Sequence, residues 1–300
     1  MKAVVCAIIK DEQRFLREWI DYHLALGFAH IYLFEDYGST SHKSIVNGLA
    51  HVTLGTVEDD TPVRNHHTSG TQASLYNWFL GKAKREHLAD WVLYTDIDEF
   101  LKFEDGYSLQ WLMNEFRDET GVWLSWRFYN ANGHIKRPKG GVVESYTQEA
   151  KAGETSDTCV RVMIKSIVNV HKAQQTTIHY VINGVDVDHA HKMPLRKYRK
   201  AWVNHYFSKS WEDYVDRMCK RGNMSNNYRS FDNFFRCNHD MLPKKAELIA
   251  SVRHLHTVST MWISKDMKII SGGNLPKLKH LEELVNPKQQ NERLVKANQI

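Results

Sequence analysis

Residues 91–100 read Trp-Val-Leu-Tyr-Thr-Asp-Ile-Asp-Glu-Phe, an apolar run that ends in three carboxylates, Asp96, Asp98 and Glu99. The run predicts a core strand over 91–95. Acidic side chains at the mouth of such a strand repel one another and lose hydration, so a compensating cation is expected beside them. Asp96 and Asp98 are two residues apart, which on an extended backbone points both the same way, toward one divalent ion or its water shell. The plainer alternative is a solvated acidic turn. Hard oxygen ligands select Mg2+ or Mn2+ over zinc.

Working outward, the same alternation of strand and helix recurs. Residues 3–9 are continuously apolar and rich in β-branched side chains, as in a parallel strand covered on both faces. Phe15, Leu16, Trp19, Ile20, His23 and Leu24 then recur at helical spacing, with Asp11 and Glu12 at the start and Gly27 as a stop. A second strand is expected over 31–34, a short helix over 41–49 and a third strand over 52–57. Gln72, Leu75, Tyr76, Phe79, Leu80 and Ala83 mark a long amphipathic helix ahead of the 91–95 strand. This pattern predicts an α/β fold with an open, mostly parallel sheet. Beyond Gly121, strands are expected over 122–129, near 160–170 and over 176–182, with helices dominating from Ala201 and a polar tail after Pro276.

In open α/β sheets ligands collect outside the carboxyl ends of the strands. Strand one ends at Lys10, Asp11 and Glu12, strand two at Glu35, Asp36, Gly38 and Ser39, and the acidic strand at Asp96, Asp98 and Glu99, so three strands deliver polar groups to one rim. Asp36 can accept hydrogen bonds from a base or ribose, or can stabilise its own turn. Lys10 and Arg64 are candidate positive charges for a phosphate, or solvated surface residues. Gln72, near the start of its helix, can reach the same pocket. Among 17 histidines, His205 is the candidate third metal ligand, ahead of His179, His189 and His191. Trp126, Tyr129 and Trp202 are candidates to stack on a sugar ring, or core residues.

Composition narrows the class. With 300 residues, 42% of them hydrophobic, the chain can bury a sizeable core, and its net charge of +5 (40 basic against 35 acidic residues) is too mild to imply nucleic acid. No G-x-G-x-x-G follows the first strand and no G-x-x-x-x-G-K-[ST] occurs, which counts against dinucleotide-binding and P-loop domains. Cys6, Cys159, Cys219 and Cys237 are scattered without a C-x-x-C pair, as expected of free thiols in a reducing compartment. No segment approaches the roughly 20 apolar residues that span a bilayer. A soluble, cytoplasmic chain is expected, with peripheral membrane association left open.

Lys10-Asp11-Glu12, Glu18-Trp19, Tyr22-His23, Gly27, Gln72, the 91–100 segment, Lys165-Ser166-Ile167-Val168, His205-Tyr206 and Lys209-Ser210 together resemble the metal-dependent glycosyltransferases of the GT-A fold, specifically family 92 and the related family-2-like group. The resemblance covers roughly residues 1–240. It implies a Rossmann-like, mostly parallel open sheet in a catalytic domain over 1–240, with 1–120 as the nucleotide-sugar half, 121–240 as the acceptor side, and a helical C-terminal extension over 241–300. It further implies transfer of a sugar from a nucleotide donor, UDP-linked by expectation, to a hydroxyl of a glycan or glycoconjugate, with inversion and with Mn2+ or Mg2+ as cofactor. On this reading Asp96, Asp98 and His205 hold the metal, and Lys10, Glu12, Asp36, Gln72 and Asp96 face the donor. Glu144 is the first choice for the base, ahead of Glu154 and Asp157, although Ser145 stands where the family pattern has an Arg. Two rivals remain at this point: a metal-dependent phosphotransferase or phosphatase, and a non-catalytic carbohydrate- or anionic-polymer-binding protein.

Overall fold

The computed structural model describes residues 1–63, 69–150, 164–187, 200–220 and 231–252. Their elements run β1 (Ala3–Ile9), α1 (Leu16–Ala25), β2 (His30–Glu35), α2 (Lys43–Val46), β3 (Val52–Thr56), α3 (Val57–Asp60), α4 (Ser69–Arg85), β4 (Trp91–Tyr94), β5 (Glu99–Phe103), α5 (Leu109–Glu115) and β6 (Gly121–Phe128). They continue α6 (Val142–Ser145), β7 (Ile164–Asn169), β8 (Val185–Asp186), β9 (Ala201–His205), α7 (Trp211–Lys220), α8 (Phe231–Cys237), a 3-10 turn (His239–Lys244) and α9 (Lys245–Ser251). The described strands form one nine-stranded sheet in the order β3-β2-β1-β4-β7-β6-β9-β5, with β8 beside β6. The first half is parallel: β1 lies between β2 and β4, with Ile9 opposite Glu35 and Cys6 opposite Tyr94. The expected open, mostly parallel α/β sheet is therefore present.

Every residue of β1 is buried, and its side chains alternate between two layers. Ala3, Val5, Ala7 and Ile9 join the core under α1, with Leu16, Trp19 and Ile20. Val4, Cys6 and Ile8 join the core under α4, with Leu75, Tyr76, Phe79 and Leu80. A strand packed on both faces has no polar face to show, which is why 3–9 reads as a continuous apolar run. Helix α1 ends where Gly27 takes φ +99°, a backbone state that glycine adopts without a steric penalty.

The second half departs from the sequence expectations in three places. Glu99 does not hang from the end of a strand: it opens β5, which pairs antiparallel with β9. Ala201–His205, expected to begin a helical region, is that fully buried strand β9, held between β5 and β6. Segment 176–182 is not a strand; only Thr176 and Val181 pair across it, and the Asn77 side chain brackets the Thr176 backbone at 2.7 and 2.9 Å instead. A short apolar segment such as 201–205 reads alike whether it extends or coils, and the partners that decide between the two lie far away in sequence. The predicted helix over 41–49 shrinks to Lys43–Val46.

Strand β5 sits at the end of the sheet order, and α1 covers its open edge. Trp19 Nε1 donates to Glu99 O at 2.9 Å and Tyr22 OH donates to Leu101 O at 2.8 Å. Side chains one helical turn apart thus satisfy two alternate carbonyls on the outer edge of β5, the edge away from β9, which protects that edge and fixes the start of the strand.

Cys6 is a free, buried thiol, whereas Cys237 is disulfide-bonded. The expectation of free thiols throughout is thereby corrected, and with it the argument from cysteine for a reducing compartment. No helix among the described residues is long and apolar enough to cross a membrane.

Replacing Trp19 with Phe keeps most of the packing but orphans the Glu99 carbonyl, and should lower the free energy of unfolding by about 1–3 kcal/mol in a urea titration. His23 supplies a pH test. It is fully buried, its Nδ1 lies 2.9 Å from Trp19 O, and burial lowers its pKa to about 4 despite that backbone contact. The unfolded chain binds this proton near pH 6.5 and the folded chain only near 4, so stability should fall as pH drops through that window. The slope should flatten in His23→Phe.

Candidate active site

The site grows from the turn between β4 and β5. Asp96 and Asp98 do not lie on extended backbone: Glu99 N donates to Asp96 O at 3.1 Å, closing a turn around them. The carboxylates therefore diverge enough to take different partners. Asp96 Oδ2 receives Lys165 Nζ at 3.0 Å and Asp96 Oδ1 receives Gln72 Nε2 at 2.8 Å, while Gln72 Nε2 also reaches Tyr76 OH at 2.8 Å. Asp98 Oδ2 receives Arg217 Nη1 at 2.5 Å, and its Oδ1 lies 3.7 Å from His205 Nε2.

Exposure separates the two aspartates. The Asp96 side chain keeps 34% of its surface open; that of Asp98 keeps 3%. Burial opposes charge on both, yet Lys165 holds the Asp96 carboxyl below its ordinary range, and Arg217 with His205 holds that of Asp98 well below it. Both are carboxylates at neutral pH.

Glu99 behaves differently although it adjoins them. Its side chain is completely buried, Oε2 accepts from Thr95 Oγ1 at 2.9 Å and from Asp96 N at 3.0 Å, and Oε1 is buried without a hydrogen-bond partner. Burial pushes its pKa up to about 8 against the opposing pull of Lys165. Lys165, wholly buried on β7, lies nearer to Asp96 (3.0 Å) than to Glu99 (3.4 Å), and these neighbours keep its proton in place despite burial. One ammonium thus serves a charged Asp96 and a protonated Glu99, the cheaper way to distribute charge in a dry pocket.

The rim expected from three strand ends is assembled. Lys10 Nζ donates to Tyr37 O at 2.8 Å and lies 3.9 Å from Asp36 Oδ2, so it ties the end of β1 to the end of β2. Asp36 is buried to 7% exposure. Glu12 N donates to His42 Nε2 at 2.9 Å, and His42 Nδ1 lies 2.9 Å from Glu35 Oε1. The acidic Glu12 adds to the field around Arg217, which links the first strand end to the fourth.

The aromatic candidates divide. Trp126 is half-buried beside the site, its ring 4.3 Å from His205 and 5.5 Å from His179. His179 is kept neutral by burial and by the Lys165 charge, with a pKa of about 4. Trp202 is buried under Arg127 at 3.7 Å and donates Nε1 to Asn204 Oδ1 at 2.8 Å, which makes it part of the framework. Tyr129 is half-buried, 4.9 Å from the Tyr206 ring. Glu144 is exposed on α6; Glu18 grips the start of that turn through Val142 N (2.6 Å) and Val143 N (3.0 Å). Tyr146 OH, in the next turn, accepts from Ser210 N at 3.0 Å and donates to Asp213 Oδ2 at 3.2 Å, joining this segment to the start of α7. Arg64, Glu154, Asp157, His189 and His191 lie outside the described residues.

Arg217 is the group that sequence reading missed. It is one cation on an amphipathic helix, 119 residues from Asp98, and nothing local marks it. Lys165 carried a signal, a lysine inside the apolar run 164–168, which as a strand places the ammonium in the core. No cluster of three or more His, Cys, Asp or Glu placed to hold a metal ion occurs among the described residues.

A profile of glycosyltransferase family 92 matches residues 2–249. A family 92 protein of Oryza sativa subsp. japonica is 25% identical over 228 residues, covering 72% of this chain and 35% of its own. One of Ricinus communis is 22% identical over 226 residues, covering 72% and 37%. The chain thus spans about a third of the length of these curated relatives. Among solved structures, glucosyl-3-phosphoglycerate synthase from Mycobacterium tuberculosis, in complex with Mn2+, UDP and phosphoglyceric acid, aligns at 14% identity over 57% of this chain and 56% of its own. The TM-score of that alignment is 0.31. What the profile covers is nearly the whole described chain, including every side chain placed around Asp96 and Asp98: the chain belongs to glycosyltransferase family 92.

Proposed function

We propose that this chain transfers a sugar from a nucleotide diphosphate donor, UDP-linked, to a hydroxyl of a glycan or glycoconjugate, with inversion at the anomeric carbon. The observation that carries this reading is the pair of ionised aspartates, Asp96 and Asp98, at the carboxyl-end rim of β4 in a family 92 chain. Residues 1–120 take the donor on this reading and 121–240 the acceptor.

The donor set suits Mn2+ or Mg2+. Such ions are commonly held by one or two carboxylates and completed by substrate phosphates and water. On this reading Asp96 and Asp98 would hold the ion, with His205 Nε2, 3.7 Å from Asp98, as the third ligand. When bound, the ion supplies positive charge that offsets what develops on the departing diphosphate.

The protein's own groups do the rest. Gln72 and Lys165 grip the two oxygens of Asp96 and fix its orientation. Asp36 accepts hydrogen bonds from the base or ribose, and Lys10 holds Asp36 and its loop in place. Glu12 completes the donor wall. Glu144, on a turn anchored by Glu18, accepts the proton of the acceptor hydroxyl from the side opposite the leaving group.

The buried Asp98–Arg217 pair changes how the aspartate is tested. From sequence alone, Asp98→Ala should abolish transfer and spare stability; with Arg217 against it, the truncation also removes the partner of a charged group and should destabilise the fold. Asp98→Asn keeps an acceptor for Arg217 and is the cleaner variant. UDP should raise the melting temperature of the wild-type chain only when Mn2+ is present, and Asp98→Asn should lose that response together with roughly 100-fold or more of the transfer rate. Stabilisation by free phosphate instead would favour a phosphatase, and by oligosaccharide alone a binding protein. Glu144→Gln should lower kcat by about 10²–10⁴ with donor KM unchanged; an active variant removes Glu144 from the role.

A further inference from the structure

Asp98 is almost sealed, yet its partner is not: the Asp98 side chain keeps 3% of its surface and that of Arg217 keeps 20%. The helix that carries Arg217 is clamped. Arg137 binds Asp213 at 2.6 Å and Asp216 at 2.8 Å, and Ser210 Oγ donates to Asp213 Oδ2 at 2.7 Å. Side-chain contacts thus hold α7 both one turn before Arg217 and at the residue next to it.

Among the described residues each aspartate already has a cation against it: Asp96 faces Lys165 and Asp98 faces Arg217, so a divalent cation that takes Asp98 has to displace a positive charge already paired with it. A nucleotide diphosphate arriving alone meets carboxylates. Arriving together, the pair can be accommodated if Arg217 leaves Asp98, and an arginine fork is suited to phosphate oxygens.

We propose that Arg217 is the counter-cation of Asp98 in the ligand-free protein, that it yields Asp98 to the divalent ion, and that it then binds the diphosphate, so that metal and nucleotide bind cooperatively. This rests on the transferase reading above. It assigns Arg217 two sequential partners within reach of one side chain, and it makes metal affinity a quantity set by a residue that is not a ligand.

Titration calorimetry on the whole chain tests this without any turnover. For the wild type, Mn2+ should bind weakly alone and at least about tenfold tighter with saturating UDP, a coupling of ordinary size between two sites. Arg217→Met should bind Mn2+ alone about tenfold tighter and lose most of the tightening by UDP. Arg217→Lys, which keeps the charge and the fold but lacks the fork, should match the wild type for Mn2+ alone and still show less tightening by UDP. Unchanged or weaker binding of Mn2+ alone by Arg217→Met, or full UDP coupling in Arg217→Lys, overturns the proposal while the transferase reading stands. A wild-type chain that binds neither Mn2+ nor UDP overturns both.

Discussion

Three carboxyl groups meet at the turn between β4 and β5, and keeping them in a dry pocket is the constraint that organises the surrounding structure. Asp98 and Glu99 are nearly or wholly buried, where an unpaired charge is intolerable. The chain solves this in two ways. It brings Lys165 and Arg217 from β7 and α7 against the aspartates, and it lets Glu99 hold a proton. The outcome is two ionised oxygen donors beside one neutral acid, within a few residues.

The sheet exists in the form that makes this possible. Because β7 runs antiparallel to β4, its first residues lie level with the end of β4, and Lys165 arrives beside Asp96 from a strand more than sixty residues later. Because β5 turns back to pair with β9, Glu99 stands opposite His205 and brings that imidazole toward Asp98. Strand β6 binds the two regions together: its first half pairs with β7 and its second half with β9. Trp19 and Tyr22 of α1 close the edge that this arrangement leaves open. A disturbance at α1 therefore reaches the acidic turn through backbone carbonyls, without any contact to a ligand.

Regions of the site differ in what holds them. The end of β1 and the loop after β2 are laced by short polar contacts, with Lys10 on Tyr37 O, Asp11 Oδ1 accepting from Thr40 N at 2.9 Å, and His42 between Glu12 and Glu35. This wall is preorganised by neighbours close in space. The Asp98 side is held from farther away in the chain, by Arg217 of α7 with His205 of β9 nearby, and the Glu144 turn is tied to Glu18, with Tyr146 joining it to α7.

Much of this was legible in the sequence because it is local. The period of 3–9, of α1 and of α4, the apolar approach to Asp96, and the polar strand ends each depend on the residues within a few positions, and burial on both faces leaves an apolar signature that needs no partner to be read. What only the tertiary structure decided is pairing: that 201–205 is a strand, that Glu99 begins one, that Cys237 is cross-linked, and that Lys165 and Arg217 are the cations of the acidic turn. Sequence determines which groups are charged and which segments must hide from water. Which charge meets which, and hence which carboxyl keeps its proton, is fixed by distances between residues far apart in the chain.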